Sequence, residues 1–204
     1  MYFVCTIHPD LEETRREGYR GWWMTLTEKK EAIERFYDEK QVIPLSLDHT
    51  ASKTYGSSIP VPSRVGKVLD LFLDKSGDMA AKCILETDNE AFKRVNTGSH
   101  IHGEKWGVSP RIDWSMPDGI EGDRIEKRLT HVALTLDPHF ASQGAYIHQW
   151  HHREAGVDRI IARHYAGEST FYAAPALLDK LKGTNLIVFR FLFHHALLTL
   201  FRLY

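Results

Sequence analysis

Cysteine is scarce in this chain: two residues in 204, Cys5 and Cys83, each inside an apolar run. Two thiols so placed are no disulfide framework, and they point to a reducing compartment such as cytosol or nucleus. An excess of either charge is also missing. Lys and Arg total 26 against 27 Asp and Glu, for a net charge of −1, so no broad basic field exists to attract nucleic acid. The opening residues 1–7 have neither the basic start nor the apolar length of a signal peptide; they read as a first strand. There is no internal repeat or low-complexity tract. The apolar end, residues 186–204, is rich in Phe and Leu but is interrupted by Arg190, His194, His195 and Arg202. A membrane helix needs about 20 apolar residues with few charges, so no membrane partner is expected.

Histidine, by contrast, is abundant, with twelve residues. It suits both acid–base catalysis and metal binding. The length and the ordinary apolar and charged fractions fit one domain with a sizeable core. The expected division is a domain over residues 1–183 and an apolar C-terminal segment over 184–204, read as an interface helix or a tail foreign to the fold.

Along the chain, residues 25–40 predict a helix. Thr25 or Thr27 can cap it, Glu28 sits three places after Thr25, and Ile33, Phe36 and Tyr37 mark an apolar face. Residues 41–47 alternate as a strand, with Pro44 favouring its beginning or an edge. The Ser-, Thr-, Gly- and Pro-rich stretch 51–63 reads as a loop. Residues 65–74 and 79–86 form a predicted hairpin around Lys75-Ser76-Gly77-Asp78. A short helix from Asp88 or Asn89 through Val95 should close at Gly98. Strands follow at 106–114 and 125–136, then helices at 149–164 and 175–181. The pattern is mainly β in the first two thirds and helical in the last.

The stretch Trp106-Gly107-Val108-Ser109-Pro110-Arg111-Ile112 places a serine within a short strand. A serine hydroxyl is a weak nucleophile at neutral pH and needs a base within hydrogen-bond reach, itself held by a third group. His49, at the end of one predicted strand, and His131, inside another, supply imidazoles for those roles, and Asp48 and Asp137 are carboxylates available as the third group. A second histidine stabilises the developing imidazolium less than a buried carboxylate does, so turnover should be slow. Pro110 has no N–H, so the residue after the serine cannot donate to an oxyanion.

Three segments resemble the herpesvirus assemblins, the capsid maturation serine proteases. Ile43-Pro44-Leu45-Ser46-Leu47-Asp48-His49, followed by Val65-Gly66-Lys67-Val68, is similar to the family's Pro-Leu segment ending in histidine and its Gly-x-Val strand. Gly107-Val108-Ser109-Pro110-Arg111 is similar to the block bearing the nucleophile. His131-Val132-Ala133-Leu134 matches the run holding the second histidine. Order and rough spacing agree over about residues 2–140. Tailed-phage prohead proteases share the first two segments.

The resemblance implies Ser109 as nucleophile, His49 as general base and His131 as third triad member. It further implies a closed antiparallel β-barrel of about seven strands wrapped by helices and homodimerisation through the C-terminal region. No cofactor is implied. The substrates would be the capsid scaffold protein and the protease's own precursor, in the host nucleus. Two features depart from the family pattern. The arginine pair after the second histidine is replaced by Asp137-Pro138-His139-Phe140, and the second serine of the nucleophile block by Arg111. Arg111 or His139 is therefore expected to support the oxyanion.

Two other classes compete. His148-x-x-His151-His152 on one helix, with Glu154, Asp158 or His164, offers imidazoles for zinc, although no recognised spacing is present. An inactive scaffold or assembly protein of the same fold is the other.

Overall fold

Thr25 and Glu28 open the first helix as their spacing predicts. The Thr25 hydroxyl accepts from Glu28 N–H at 3.3 Å and the Glu28 carboxylate accepts from Thr25 N–H at 2.6 Å, a reciprocal cap that satisfies two orphan donors. This helix, α1, spans Leu26–Asp38 and buries Ala32, Ile33 and Phe36. The computed structural model describes residues 1–11, 23–47, 64–74, 76–86, 90–115, 126–140, 145–165, 172–173 and 175–182. The expected loop at 51–63 and the apolar segment 184–204 lie outside the described residues.

The strands are β1 (Tyr2–His8), β2 (Pro44–Leu47), β3 (Arg64–Leu73), β4 (Met79–Leu85), β5 (Gly107–Ser115), β6 (Glu126–Thr135) and a two-residue β7 (Tyr172–Ala173). The β3–β4 hairpin forms as expected. Asp74 Oδ1 accepts from Ser76 and Asp78 N–H at 2.8 and 3.0 Å, and Gly77 takes a left-handed φ of 85°. Six strands run in the order β1-β4-β3-β2-β6-β5, and β7 pairs with β3. The sheet is a curled half-barrel with helices about it, a mainly β fold.

Two parts of the expected barrel are corrected. The sheet is mixed rather than antiparallel, because β2 runs parallel to β6, pairing Leu45 with Val132 and Ser46 with Ala133. Nor does it close strand to strand, since β1 and β5 end the order. Between those ends lies a non-strand segment. Ile147 N–H donates to Trp106 O and Val108 N–H to Ala145 O, both at 2.9 Å, while Tyr2 and His151 exchange backbone bonds at 2.7 and 2.8 Å. Residues 145–151 thus satisfy backbone groups on both open edges, which a buried edge requires.

The concave side encloses the main core, including Phe3, Ile33, Leu45, Leu71, Val108, Leu129, Val132 and Leu134. A smaller core lies between the other face of β3–β4 and the helices α3 (Glu154–Ile160) and α4 (Pro175–Lys182), joining Phe72 and Ala80 to Val157, Ile161, Leu177 and Leu181. Buried Lys82 sits beside it with Asp70, Glu154 and Asp158 at 2.7, 2.7 and 2.8 Å. Burial works against the ammonium, but hydrogen bonds to the three carboxylates outweigh it and raise its pKa. Lys82 thereby ties α3 to the sheet.

Two helix expectations are also revised. The helix α2 spans Glu90–Ile101 and runs through Gly98 instead of stopping there. A side chain at Gly98 would meet the Glu104 carboxylate and the Trp106 indole, so the glycine serves close packing. The turn comes at Gly103, φ 66°, which brings Glu104 N–H onto the Gly98 carbonyl at 2.9 Å. Helix α3 begins at Glu154 rather than 149, because residues 145–151 are extended between the sheet edges.

His8 closes β1 with its ring fully buried. Its Nε2 accepts from Met24 N–H at 3.0 Å, which leaves Nδ1–H to donate to Pro9 O at 2.9 Å and fixes the neutral tautomer. Burial, and then the nearby Lys29 ammonium, lower its pKa to about 3. As pH falls below about 6.5 the unfolded chain gains a proton that the folded chain refuses until about 3. Stability contributed by the neutral ring is therefore complete above that window and lost within it. Between pH 7 and pH 5 we expect His8 to account for about 2 kcal/mol of lost stability. Urea melts should show a shallower pH dependence for His8→Gln than for the wild type; parallel curves would contradict this.

Candidate active site

The strand β5 pairs antiparallel with β6, setting Ser109 opposite Ala133 and Arg111 opposite His131. Val108, Val132 and Leu134 point into the main core. Alternation therefore sends Ser109, Arg111, His131 and Ala133 to the other face together. Ser109 and His131 are diagonal neighbours, a relation in which Cα atoms lie about 7–8 Å apart and an imidazole can reach across. Ser109 is 6% exposed and His131 3%. The parallel pairing of β2 extends this row, since buried Ser46 lies in register with Ala133. Small Ala133 thus separates two serines on three adjacent strands.

His131 reaches this face because β6 carries a bulge. Arg111 pairs with His131, but the next residue, Ile112, pairs with Leu129, so Thr130 is the extra residue. The phase of β6 flips there. Leu129 and Val132 both enter the core although three positions separate them, and Arg128 comes to lie opposite Asp113. The Thr130 hydroxyl donates to Arg111 O at 3.3 Å across the interruption. Without the extra residue, His131 and Leu129 would share a face. One of them would then be misplaced.

Backbone donors near Ser109 are few on the edge of β5 away from β6. Val108 N–H is spent on Ala145 O at 2.9 Å, and Pro110, the next residue facing that edge, has no N–H. Proline is tolerated in mid-strand here because β5 ends the sheet order. Gly107 also fits this edge, as a side chain there would meet Pro138 and the Ala145 carbonyl. Neither residue flanking Ser109 therefore offers an anion a backbone N–H on that edge. Arg111 stands two residues along on the same face, 17% exposed, with its Nε donating to Asp113 Oδ1 at 2.8 Å.

Of the sequence-predicted residues, Ser109, His131 and Arg111 are brought together. His49 lies outside the described residues, two positions beyond the end of β2. His139 is exposed beyond the end of β6, edge-on to Trp23 and Phe140 with ring centroids at 5.7 and 4.8 Å. The histidines at 148, 151 and 152 do not share a helix, since α3 starts after them. Glu154 and Asp158 turn to Lys82. Among the described residues no group of three or more His, Cys, Asp or Glu is arranged to hold a metal ion.

Sequence reading missed Ser46, Thr130 and Asp113. Thr130 had a readable signal: Lys127, Leu129, Val132 and Leu134 break their two-residue alternation once, between 129 and 132. Asp113 had one too, as an opposite charge two places from Arg111 on a strand. Ser46 needed the parallel register, which only the fold supplies. Compared with known protein families, curated proteins and solved structures, the chain matches none.

Deleting Thr130 should cost about 3 kcal/mol or more, because one face of β6 is then out of phase with its partners. Thr130→Ala keeps the residue count and loses one long hydrogen bond, at a cost of about 1 kcal/mol or less. Chemical denaturation separates the two, and equal losses would argue against the bulge as a phase device.

Proposed function

We propose that the chain is a serine endopeptidase of assemblin type, with Ser109 as nucleophile, His49 as general base and His131 as third triad member. The observation that supports it best is the shared face of Ser109, His131 and Arg111. Ser109 and Arg111 from one sequence motif and His131 from another meet there only because β6 bulges at Thr130. Ser109 Oγ attacks the scissile carbonyl carbon while His49 takes the hydroxyl proton. The C–N bond then breaks, the same proton passes to the leaving amine, and water hydrolyses the acyl ester and restores the hydroxyl. His131 holds the His49 imidazole, and Arg111 is the cation best placed for the oxyanion.

The sequence resemblance extends this reading to the substrate. The capsid scaffold protein and the enzyme's own precursor would be cut, by a homodimer, during capsid assembly in the host nucleus. In this proposal the closed barrel is not retained; the half-barrel with its 145–151 segment carries the site instead.

A fluorophosphonate probe tests the assignment. Ser109 Oγ displaces fluoride from phosphorus, and the adduct mass identifies the serine. Labelling should vanish in Ser109→Ala, persist in Ser46→Ala, and fall at least about 100-fold in His49→Ala. His131→Ala should fall less, by about tenfold, since it acts through the base. A folded wild-type protein that takes no label would favour the inactive assembly protein.

A further inference from the structure

We infer that Asp113 is a positioning residue that orients Arg111 for anion stabilisation at Ser109, an inference that rests on the protease reading above. The residues 109, 111 and 113 alternate onto one face of β5, so nucleophile, guanidinium and carboxylate form a line along a single strand. The Arg111 Nε–H is bonded to Asp113 Oδ1 at 2.8 Å. A guanidinium is planar and carries five donors in a fixed fork; engaging Nε pins the plane and leaves the Nη donors for an incoming anion.

Three observations make the orientation matter. Neither residue flanking Ser109 offers a backbone N–H on the outer edge of β5, Val108 being bonded to Ala145 O and Pro110 having none, which gives weight to a side-chain donor. Arg111 is directly opposite His131, which fixes its main chain beside the histidine. The Thr130 hydroxyl holds the Arg111 carbonyl at 3.3 Å at the bulge itself. Backbone and side chain of Arg111 are thus restrained from two directions, the side chain by Asp113. Arg128, opposite Asp113, turns instead to Glu126 at 2.8 Å, so Asp113 is left to Arg111 by its cross-strand neighbour.

The Asp113 side chain is itself 43% exposed. Its effect is therefore that of a partly solvated ion pair, modest in size and acting through orientation rather than through its own charge. Preorganised donors act on the transition state more than on the bound ground state, so the rate step should respond and the binding step should not.

The test is the kinetics of phosphonylation by a fluorophosphonate probe, in which negative charge grows on the phosphoryl oxygen as Ser109 Oγ bonds to phosphorus and fluoride leaves. The limiting rate should fall about 100-fold in Arg111→Ala. In Asp113→Asn it should fall about threefold to fivefold with the half-saturating probe concentration unchanged. In the Arg111→Ala background, Asp113→Asn should add nothing further, because a residue acting through Arg111 has nothing left to orient. Asp113→Glu should recover part of the rate. Losses that multiply in the double variant, or a change in half-saturation alone, overturn the inference while leaving the protease reading in place. No Ser109-dependent labelling of the wild type removes that reading, and this inference with it.

Discussion

The phase of β6 is the constraint on which the candidate site depends. A strand presents alternate residues to opposite faces, so a strand that buries Leu129 cannot also turn His131 to the opposite face unless one residue is left over. Thr130 is that residue. On one side of it Leu129 belongs to the core; on the other, His131 joins Ser109 and Arg111 while Val132 and Leu134 return to the core. A one-residue shift in a strand moves every side chain to the wrong face. The bulge applies that shift to half of β6 only. The apolar interior enforces it, because burying Leu129, Val132 and Leu134 together is worth several kcal/mol, about 1.5–3 for each side chain.

Around this strand pair the buried lysines among the described residues all have partners. Lys82 is held by three carboxylates and ties α3 to β4. Lys29 donates to Pro9 and Gly77 carbonyls at 2.9 and 3.0 Å, and burial lowers its pKa. Lys127, on β6 beyond the bulge, reaches Trp23 O at 2.6 Å and Glu28 at 3.1 Å. Glu28 is also the N-terminal cap of α1, so the helix start and the far end of β6 share one carboxylate. An isolated buried ion would cost far more than its burial returns. Each of these lysines is instead a cross-link between elements distant in sequence.

Much of this was legible in the sequence, for reasons that are local. The α1 cap, the β3–β4 turn and the strands carrying Ser109 and His131 follow from spacings of a few residues, and those are the signals a chain carries on its surface. Pro44 at the first position of β2 is likewise where a residue without an N–H belongs, even though β2 lies inside the sheet. Non-local pairing was less visible. Nothing near Ser46 announces that β2 will run parallel to β6, and nothing in residues 145–151 announces that they will bond to both ends of the sheet. The histidines at 148, 151 and 152 read as helical because their spacing suits a helix, and backbone bonding to β1 and β5 overrode it. Gly98 read as a helix stop because glycine often is one. Its neighbours Glu104 and Trp106, brought close by the turn at Gly103, gave it a packing role instead.

In the proposed protease, Ser109 and a histidine system act on one face of this sheet. The most direct measurement is a crystal structure of the fluorophosphonate-treated protein. Continuous density from Ser109 Oγ to phosphorus is expected, with an imidazole nitrogen about 2.6–3.2 Å from Oγ and the Arg111 guanidinium against the phosphoryl oxygen. Density on another residue, or Ser109 modified with both imidazoles turned away to the opposite side of the sheet, would contradict it.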